Sequence, residues 1–375
     1  MTRYAHQTLS DKLQAVPKLL LLLMTAISVF GFFMMFSAAG GNMSPWASRQ
    51  IFRFLFFFIL MIVIAITDIK IWLRYSYVFY LAGLVMLVGV EVVGSTVMGA
   101  QRWLRIGAFS IQPSEIMKLA MIFALARYFN GLPGQEVEHN LPLLPALGII
   151  GIPVGLIAHQ PDLGTAMILL MVGVIIFFAA GVQIWKFIAV GATGLAFLPL
   201  VWLNLYDYQK ERIHTFLNPE EDPLGSGYNV LQSIIAIGSG GFSGKGFMRG
   251  SQSQLSFLPE KQTDFIFTMV NEEFGFLGGV FALLLFLGIT LYGIYLASKV
   301  NSQFGRLLGA GIIGMLFLHV FINAGMVMGL LPIVGVPFPL VSYGGTIMGV
   351  TMLGLGFLMN VYIHRNSTLD NYRGF

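Results

Sequence analysis

Apolar runs of about 20 residues, the length that crosses the hydrocarbon core of a bilayer as a helix, recur from one end of the chain to the other. Ten stand out: 19–39, 52–67, 75–93, 114–130, 141–158, 164–180, 186–205, 266–297, 306–331 and 341–363. The pattern predicts an all-α integral membrane protein of about ten transmembrane helices, a single polytopic domain over 1–375. The third and fourth runs are separated by 94–113, where a short interfacial segment is expected around Trp103 and Phe109. The eighth run exceeds one span, so its first turns are expected at or above the interface. One long polar connection, 206–263, keeps apolar stretches such as 230–237 and several aromatics. It is therefore expected to be partly structured and to pack on the membrane domain rather than to be disordered. No small-residue cleavage site closes the first run, which reads as a retained anchor.

Composition agrees with this reading. Hydrophobic residues make up 57% of the 375 positions and charged residues only 10%, against about 25% charged in soluble domains. The net charge is +4, but the basic residues sit at helix ends, which marks topology rather than nucleic-acid binding. Ten crossings place both termini on one side. With the N-terminus inside, Arg3, Lys12, Lys18, Lys70, Arg74, Arg127, Lys186, Lys299, Arg306, Arg365 and Arg373 face the cytoplasm, against Arg49, Arg53, Arg102, Arg105 and Lys118 in the short outer segments. The excess predicts cytoplasmic termini in an inner membrane, an extracytoplasmic loop at 206–263 and a short cytoplasmic tail at 364–375. There is no cysteine, which excludes disulfides and thiolate metal sites.

Charges inside or beside the apolar runs are the first candidates for chemistry. Glu115 and Lys118, three apart at the start of the fourth run, share a helical face; they are either a structural ion pair or a substrate contact. Glu91, late in the third run, has no obvious local partner. Asp264 stands where the polar loop gives way to the eighth run: Thr263 or Asp264 would serve as the N-cap, or the half-desolvated carboxylate would act as a general base. Asn271, Glu272 and Glu273 follow inside that run. Three prolines in 332–339 forbid regular helix, and irregular backbone at membrane depth lines a cavity or is buried in protein; Ser342 and Tyr343 supply hydroxyls beside it. The run Gly238-Ser239-Gly240-Gly241-Phe242-Ser243-Gly244-Lys245-Gly246 imitates a phosphate loop, but Ser239 and Gly246 replace required residues and no strand precedes it. His159, His214 and His319 have no metal-ligand spacing.

Several of these segments resemble the SEDS family (shape, elongation, division and sporulation) of bacterial cell-wall glycosyltransferases. The resemblance rests on Gln160-Pro161-Asp162-Leu163-Gly164-Thr165-Ala166, on Phe257-Leu258-Pro259-Glu260 with Thr263-Asp264-Phe265-Ile266-Phe267, on Glu272-Glu273 with Gly275, and on the stretch from Gly335 to Gly345. Asp222-Pro223-Leu224-Gly225-Ser226-Gly227-Tyr228, Gly250-Ser251-Gln252-Ser253-Gln254-Leu255 and Gly325-Met326-Val327-Met328-Gly329-Leu330-Leu331-Pro332 look like its rod-shape, or elongation, branch.

The resemblance implies polymerisation of lipid II, a disaccharide-pentapeptide on undecaprenyl diphosphate, at the outer leaflet. Asp264 matches the family's essential carboxylate, the base that takes the proton of the acceptor hydroxyl as that oxygen attacks the donor's anomeric carbon. Lys118, oriented by Glu115, would assist the departing diphosphate, with Arg102 and Arg105 as further candidates. Asp162, Ser342 and Tyr343 are the remaining substrate-binding candidates. A divalent cation could share the diphosphate charge, although the sequence shows no ligand set for one. Implied partners are a class B penicillin-binding protein that supplies transpeptidation, other elongation-complex membrane proteins and membrane lipid; no nucleic acid is expected. A flippase of the same lipid and a non-catalytic scaffold are the alternatives. The flippase needs functional charges near the bilayer midplane, whereas Asp264 lies at the outer edge.

Overall fold

The structure, a computed structural model, describes residues 8–97, 100–106, 109–132, 136–204, 207–221, 227–254, 260–367 and 369. The sequence signals at 222–226, at Leu255, Phe257, Leu258 and Pro259, and in the tail beyond 367 except Leu369 lie outside them.

In chain order the helices are α1 (Leu9–Gln14), α2 (Lys18–Ala38), α3 (Ala47–Ile66), α4 (Ile69–Val93), α5 (Pro113–Asn130), α6 (Leu143–His159), α7 (Leu163–Ala179), α8 (Ile184–Asn204), α9 (Asp207–Leu217), α10 (Tyr228–Gly240), α11 (Ser251–Gln254), α12 (Ile266–Ser298), α13 (Gln303–Val327) and α14 (Gly345–Ile363). Each of the ten apolar runs is a helix. Six of them, α2, α3, α4, α12, α13 and α14, are long and apolar enough to cross a membrane, and α6, α7 and the Ile184–Phe197 part of α8 are shorter apolar stretches. α5 carries Glu115, Lys118 and Arg127 within 18 residues. It is nevertheless buried along nearly its whole length, as are α13 and α14. These three helices form the centre of the bundle, and the others turn exposed leucines and phenylalanines outward.

Local chemistry sets the helix ends. Asp68, Asp162 and Ser302 accept hydrogen bonds from the first-turn amides of α4, α7 and α13, and Pro113 opens α5. Small residues let α14 lie close on α3: a Cβ on Gly349 would come within 2.5 Å of the Phe57 ring, and one on Gly356 within 2.9 Å of Met61 O. α8 buries no described side chain.

The segment around Trp103 folds as an antiparallel sheet of β1 (Ser95–Val97), β2 (Ala100–Ile106) and β3 (Phe109–Ile111), in the order β1-β2-β3. The long connection between α8 and α12 holds α9, α10 and α11, and α10 packs along α12. There Ser233 Oγ lies 2.7 Å from Thr268 Oγ1 and donates to Val327 O at 2.7 Å.

α12 is interrupted. Gly275 adopts φ 64°, ψ −160°, so 266–274 and 276–298 are separate helical pieces. The carbonyls and amides freed at the break are taken up by the glycine-rich segment that imitates a phosphate loop. Lys245 N donates to Glu272 O at 3.1 Å and Gly246 N to Glu273 O at 2.9 Å, while Phe276 N donates to Gly241 O at 2.9 Å and Leu277 N to Phe242 O at 3.2 Å. The longer eighth run is thus two helical pieces, the first of them buried.

Candidate functional site

Five segments meet at one end of the bundle: the start of α7, the 260–265 segment that leads into α12, the irregular 332–343 stretch, and the first turns of α3 and of α5. The close approach of α7 to the irregular stretch requires Gly164, where a Cβ would sit 2.7 Å from Val334 O.

Asp264 lies at the centre of the site. Neither it nor Thr263 caps α12: the N-cap position is Phe265 and receives no side-chain hydrogen bond. Thr263 Oγ1 instead donates to Glu260 O and Glu260 Oε2, both at 3.1 Å. The capping alternative for Asp264 therefore falls away, and its half-buried carboxylate is left for chemistry. Burial first, then the negative charges of Glu260 and Asp162, push its pKa up to about 7.

The backbone around Asp264 is held from two sides. Asn323 Nδ2 of α13 donates to Asp264 O at 2.8 Å and to Val336 O at 2.6 Å. Ser342 Oγ donates to Thr263 O at 2.6 Å and accepts from Phe338 N at 2.8 Å, and Tyr343 N donates to Gln262 O at 2.8 Å. Glu260 (φ 54°) and Leu340 (φ 61°) occupy the left-handed region on either side, a strain of about 1–3 kcal/mol each that such contacts must offset. Gly335 (φ 70°) lies against the carboxylate: a Cβ there would approach Asp264 Oδ2 to 3.3 Å.

Asp162 accepts from Thr165 N at 3.3 Å and Thr165 Oγ1 at 3.0 Å, from Gln112 Nε2 at 3.3 Å, and pairs with Arg102 Nη1 at 3.8 Å. Arg102 also donates to Gln160 O at 3.4 Å and to Pro161 O. The guanidinium therefore ties β2 to the end of α6 and the start of α7. Arg105, on the same strand, is exposed.

Glu115 and Lys118 do pair, at 2.6 Å, and both are buried. A third member was not legible in the sequence: His319 Nε2 of α13 lies 2.6 Å from Lys118 Nζ. His319 Nδ1 lies 2.7 Å from Met315 O. A carbonyl only accepts, so Nδ1 carries the proton and Nε2 receives one from the ammonium. Ser114 Oγ, Glu115 Oε2 and Asn323 Oδ1 are buried here without a hydrogen-bond partner.

On α3, Gln50 Nε2 donates to Ser342 O at 3.1 Å, Gln50 Oε1 accepts from Gly344 N at 3.4 Å, and Arg53 stacks 4.8 Å over the Tyr343 ring. Arg53 was read from the sequence only as a topology signal, and Gln50, three residues before it in an apolar helix, was missed. Glu91 finds a partner in His159, at 3.5 Å. Among the described residues no group of three His, Asp or Glu side chains is arranged to hold a metal ion.

The family described as cell cycle protein FtsW/RodA/SpoVE matches residues 17–367. The chain belongs to the FtsW/RodA/SpoVE family. Its relatives include the peptidoglycan glycosyltransferase MrdB of Escherichia coli K12, 40% identical over 361 residues and 96% of each chain. Among solved structures, a chain of a peptidoglycan synthase complex that coordinates polymerisation and crosslinking superposes with a TM-score of 0.82 at 32% identity, covering 94% of this chain and 99% of that one. The rod shape determining protein RodA of Thermus thermophilus does so at 0.71 and 27%, covering 93% and 97%. Membership of the FtsW/RodA/SpoVE family and the apolar helices together identify a multi-pass membrane protein, in agreement with the hydropathy pattern and the motifs.

Proposed function

We propose that this chain is a peptidoglycan glycosyltransferase that polymerises lipid II during cell elongation, with Asp264 as general base. The observation that carries the proposal is the state of Asp264. Its carboxylate caps no helix, its backbone is fixed by Asn323 and by the 338–343 turn, and its pKa of about 7 suits a base working near neutral pH.

In the reaction the acceptor's sugar hydroxyl loses its proton to Asp264 as its oxygen bonds to the donor's anomeric carbon. The bond from that carbon to the diphosphate oxygen breaks, and undecaprenyl diphosphate leaves with the bonding pair. Arg102 and Arg105 on β2, and Arg53 over Tyr343, supply positive charge for the diphosphate. Lys118 directs one N–H at Glu115 and one at His319, leaving a third for the same task. Ser342 serves by holding Thr263 in place, Tyr343 by carrying Arg53, and Asp162 by orienting Arg102. With no metal-ligand cluster among the described residues, no step is assigned to a divalent cation.

The proposed topology places both termini in the cytoplasm and 206–263 outside the inner membrane, so that Asp264 faces the outer leaflet. A class B penicillin-binding protein is the proposed transpeptidase partner, within an assembly of other elongation-complex membrane proteins; the similarity to a chain from a synthase complex supports a partnered enzyme. The test is polymerisation of labelled lipid II by purified protein, alone and with its partner, with products sized on a gel. Glycan strands support the glycosyltransferase. Translocation of lipid II across vesicles without polymer would favour a flippase.

A further inference from the structure

The glycine-rich loop at 240–246 has no part in the reaction described above, yet its backbone is tightly confined. A Cβ on Gly244 (φ 80°) would fall 2.1 Å from Glu273 O, and one on Gly275 (φ 64°) 2.3 Å from Gly244 N. Backbone lies directly on backbone, so neither glycine tolerates a side chain.

Asp264 is carried by the short piece of α12. Residues 266–273 are all buried and form one short helical rod. An unbroken helix would fix the height of that rod through its own hydrogen-bond ladder. Here the ladder stops at Gly275, and the four loop bonds across the break take its place. The end of the rod also carries the buried carboxylate of Glu272. It accepts from Lys245 Nζ at 2.8 Å and Gln252 N at 2.8 Å, with Ser251 Oγ at 3.5 Å. Lys245 thus grips the rod twice, through its amide on Glu272 O and through its ammonium on the Glu272 side chain. Burying a charge is costly unless it is paired, and an apolar pair would pack such a contact at least as well. Fixing a register is the best-attested use of a buried ion pair. Glu272 lies eight residues from Asp264, about 12 Å along a helix.

We propose that Lys245 is a positioning residue: with the 240–246 loop it seats the short piece of α12 through Glu272 and so sets the place of Asp264. The inference rests on Asp264 as the general base, and two readouts separate the ideas. The chain has no cysteine, so Asp264→Cys gives a single thiol whose alkylation rate by a small soluble reagent reports the place of residue 264 without reference to activity. In that background, Lys245→Met with Glu272→Gln, which leaves no buried charge unpaired, changes the alkylation rate at least fivefold. With Asp264 intact, the same pair of changes lowers kcat at least tenfold, leaves KM within twofold and leaves Tm within a few degrees of the parent. Lys245→Arg, which keeps the charge, holds both readouts within threefold. Should the double variant not accumulate, Glu272→Gln alone is read in the same two ways. Alkylation and kcat both within twofold of the parent overturn the proposal. Altered alkylation with unchanged kcat supports the seating of residue 264 and counts against Asp264 as the base.

Discussion

Asn323 Nδ2 donates at once to Asp264 O, at 2.8 Å, and to Val336 O, at 2.6 Å. One amide of α13 thereby joins the segment that carries the proposed base to the irregular stretch facing it. Asn323→Leu leaves both carbonyls without that donor, at about 1–3 kcal/mol for a buried group. A misplacement of about 1 Å in a catalytic group costs on the order of 10²-fold in rate. The expected outcome is a Tm lowered by a few degrees and polymerisation reduced roughly 10–100-fold, measured on detergent-purified protein with labelled lipid II. An active variant with a lowered Tm would make Asn323 a packing residue only.

The buried Glu115–Lys118–His319 cluster separates structural from functional charge. Lys118→Met leaves Glu115 buried and unpaired, which costs about 3–5 kcal/mol, so the single variant should accumulate poorly. Glu115→Gln with Lys118→Met removes both charges and should restore expression and Tm. Polymerisation should stay low, because the N–H offered to the diphosphate is gone. Full activity in the double variant would show that the pair serves only to hold α5.

Topology is testable in a chain without cysteine. Glu220 and Asn301 are both exposed. Glu220→Cys should react with an impermeant maleimide in intact spheroplasts, and Asn301→Cys only after permeabilisation. The reverse pattern would invert the proposed orientation. Asn301 is a better reporter than its neighbour Ser302, which is buried as the N-cap of α13.

Much of the fold was legible because a bilayer imposes a coarse rule, and all ten apolar runs became helices. The sheet at 95–111 was not, since β1 and β3 have only three residues each and β2 carries no clean alternation. The break at Gly275 was hidden for a different reason: its amides and carbonyls are satisfied by a loop 30 residues upstream, and no local pattern encodes that. In the site, Asp264, Glu115 and Lys118 stood out as charges beside apolar runs, whereas Asp162 came only with the family motif. His319 and Asn323 did not, because one polar residue in a helix says nothing about what lies across from it. The role of Ser342 was readable only as a hydroxyl; that it binds backbone on both sides is a property of the folded turn.

The raised pKa of Asp264 fixes the sign of two pH effects. The base must be ionised, so kcat should fall about tenfold per pH unit below a limb near pH 7. For stability, a carboxyl held at about 7 when folded and 3.8 otherwise makes the folded state bind more protons between those values. That contribution is fully present below about pH 4 and is lost as pH rises through 7. Asp264→Asn never acquires the charge. Its Tm should therefore exceed the parent's at pH 8.5 and converge with it towards pH 4.

The central claim is that the carboxylate of Asp264 takes the acceptor's proton, and one variant tests it most directly. Asp264→Asn keeps the shape of the side chain and the backbone carbonyl held by Asn323, but cannot accept a proton at neutral pH. Losing a positioned general base costs about 10²–10⁴-fold. With purified protein, its transpeptidase partner and labelled lipid II, the variant is expected to accumulate normally, to bind the partner and to form no glycan polymer detectable on a gel. Polymerisation within a few-fold of the parent rate would contradict the account.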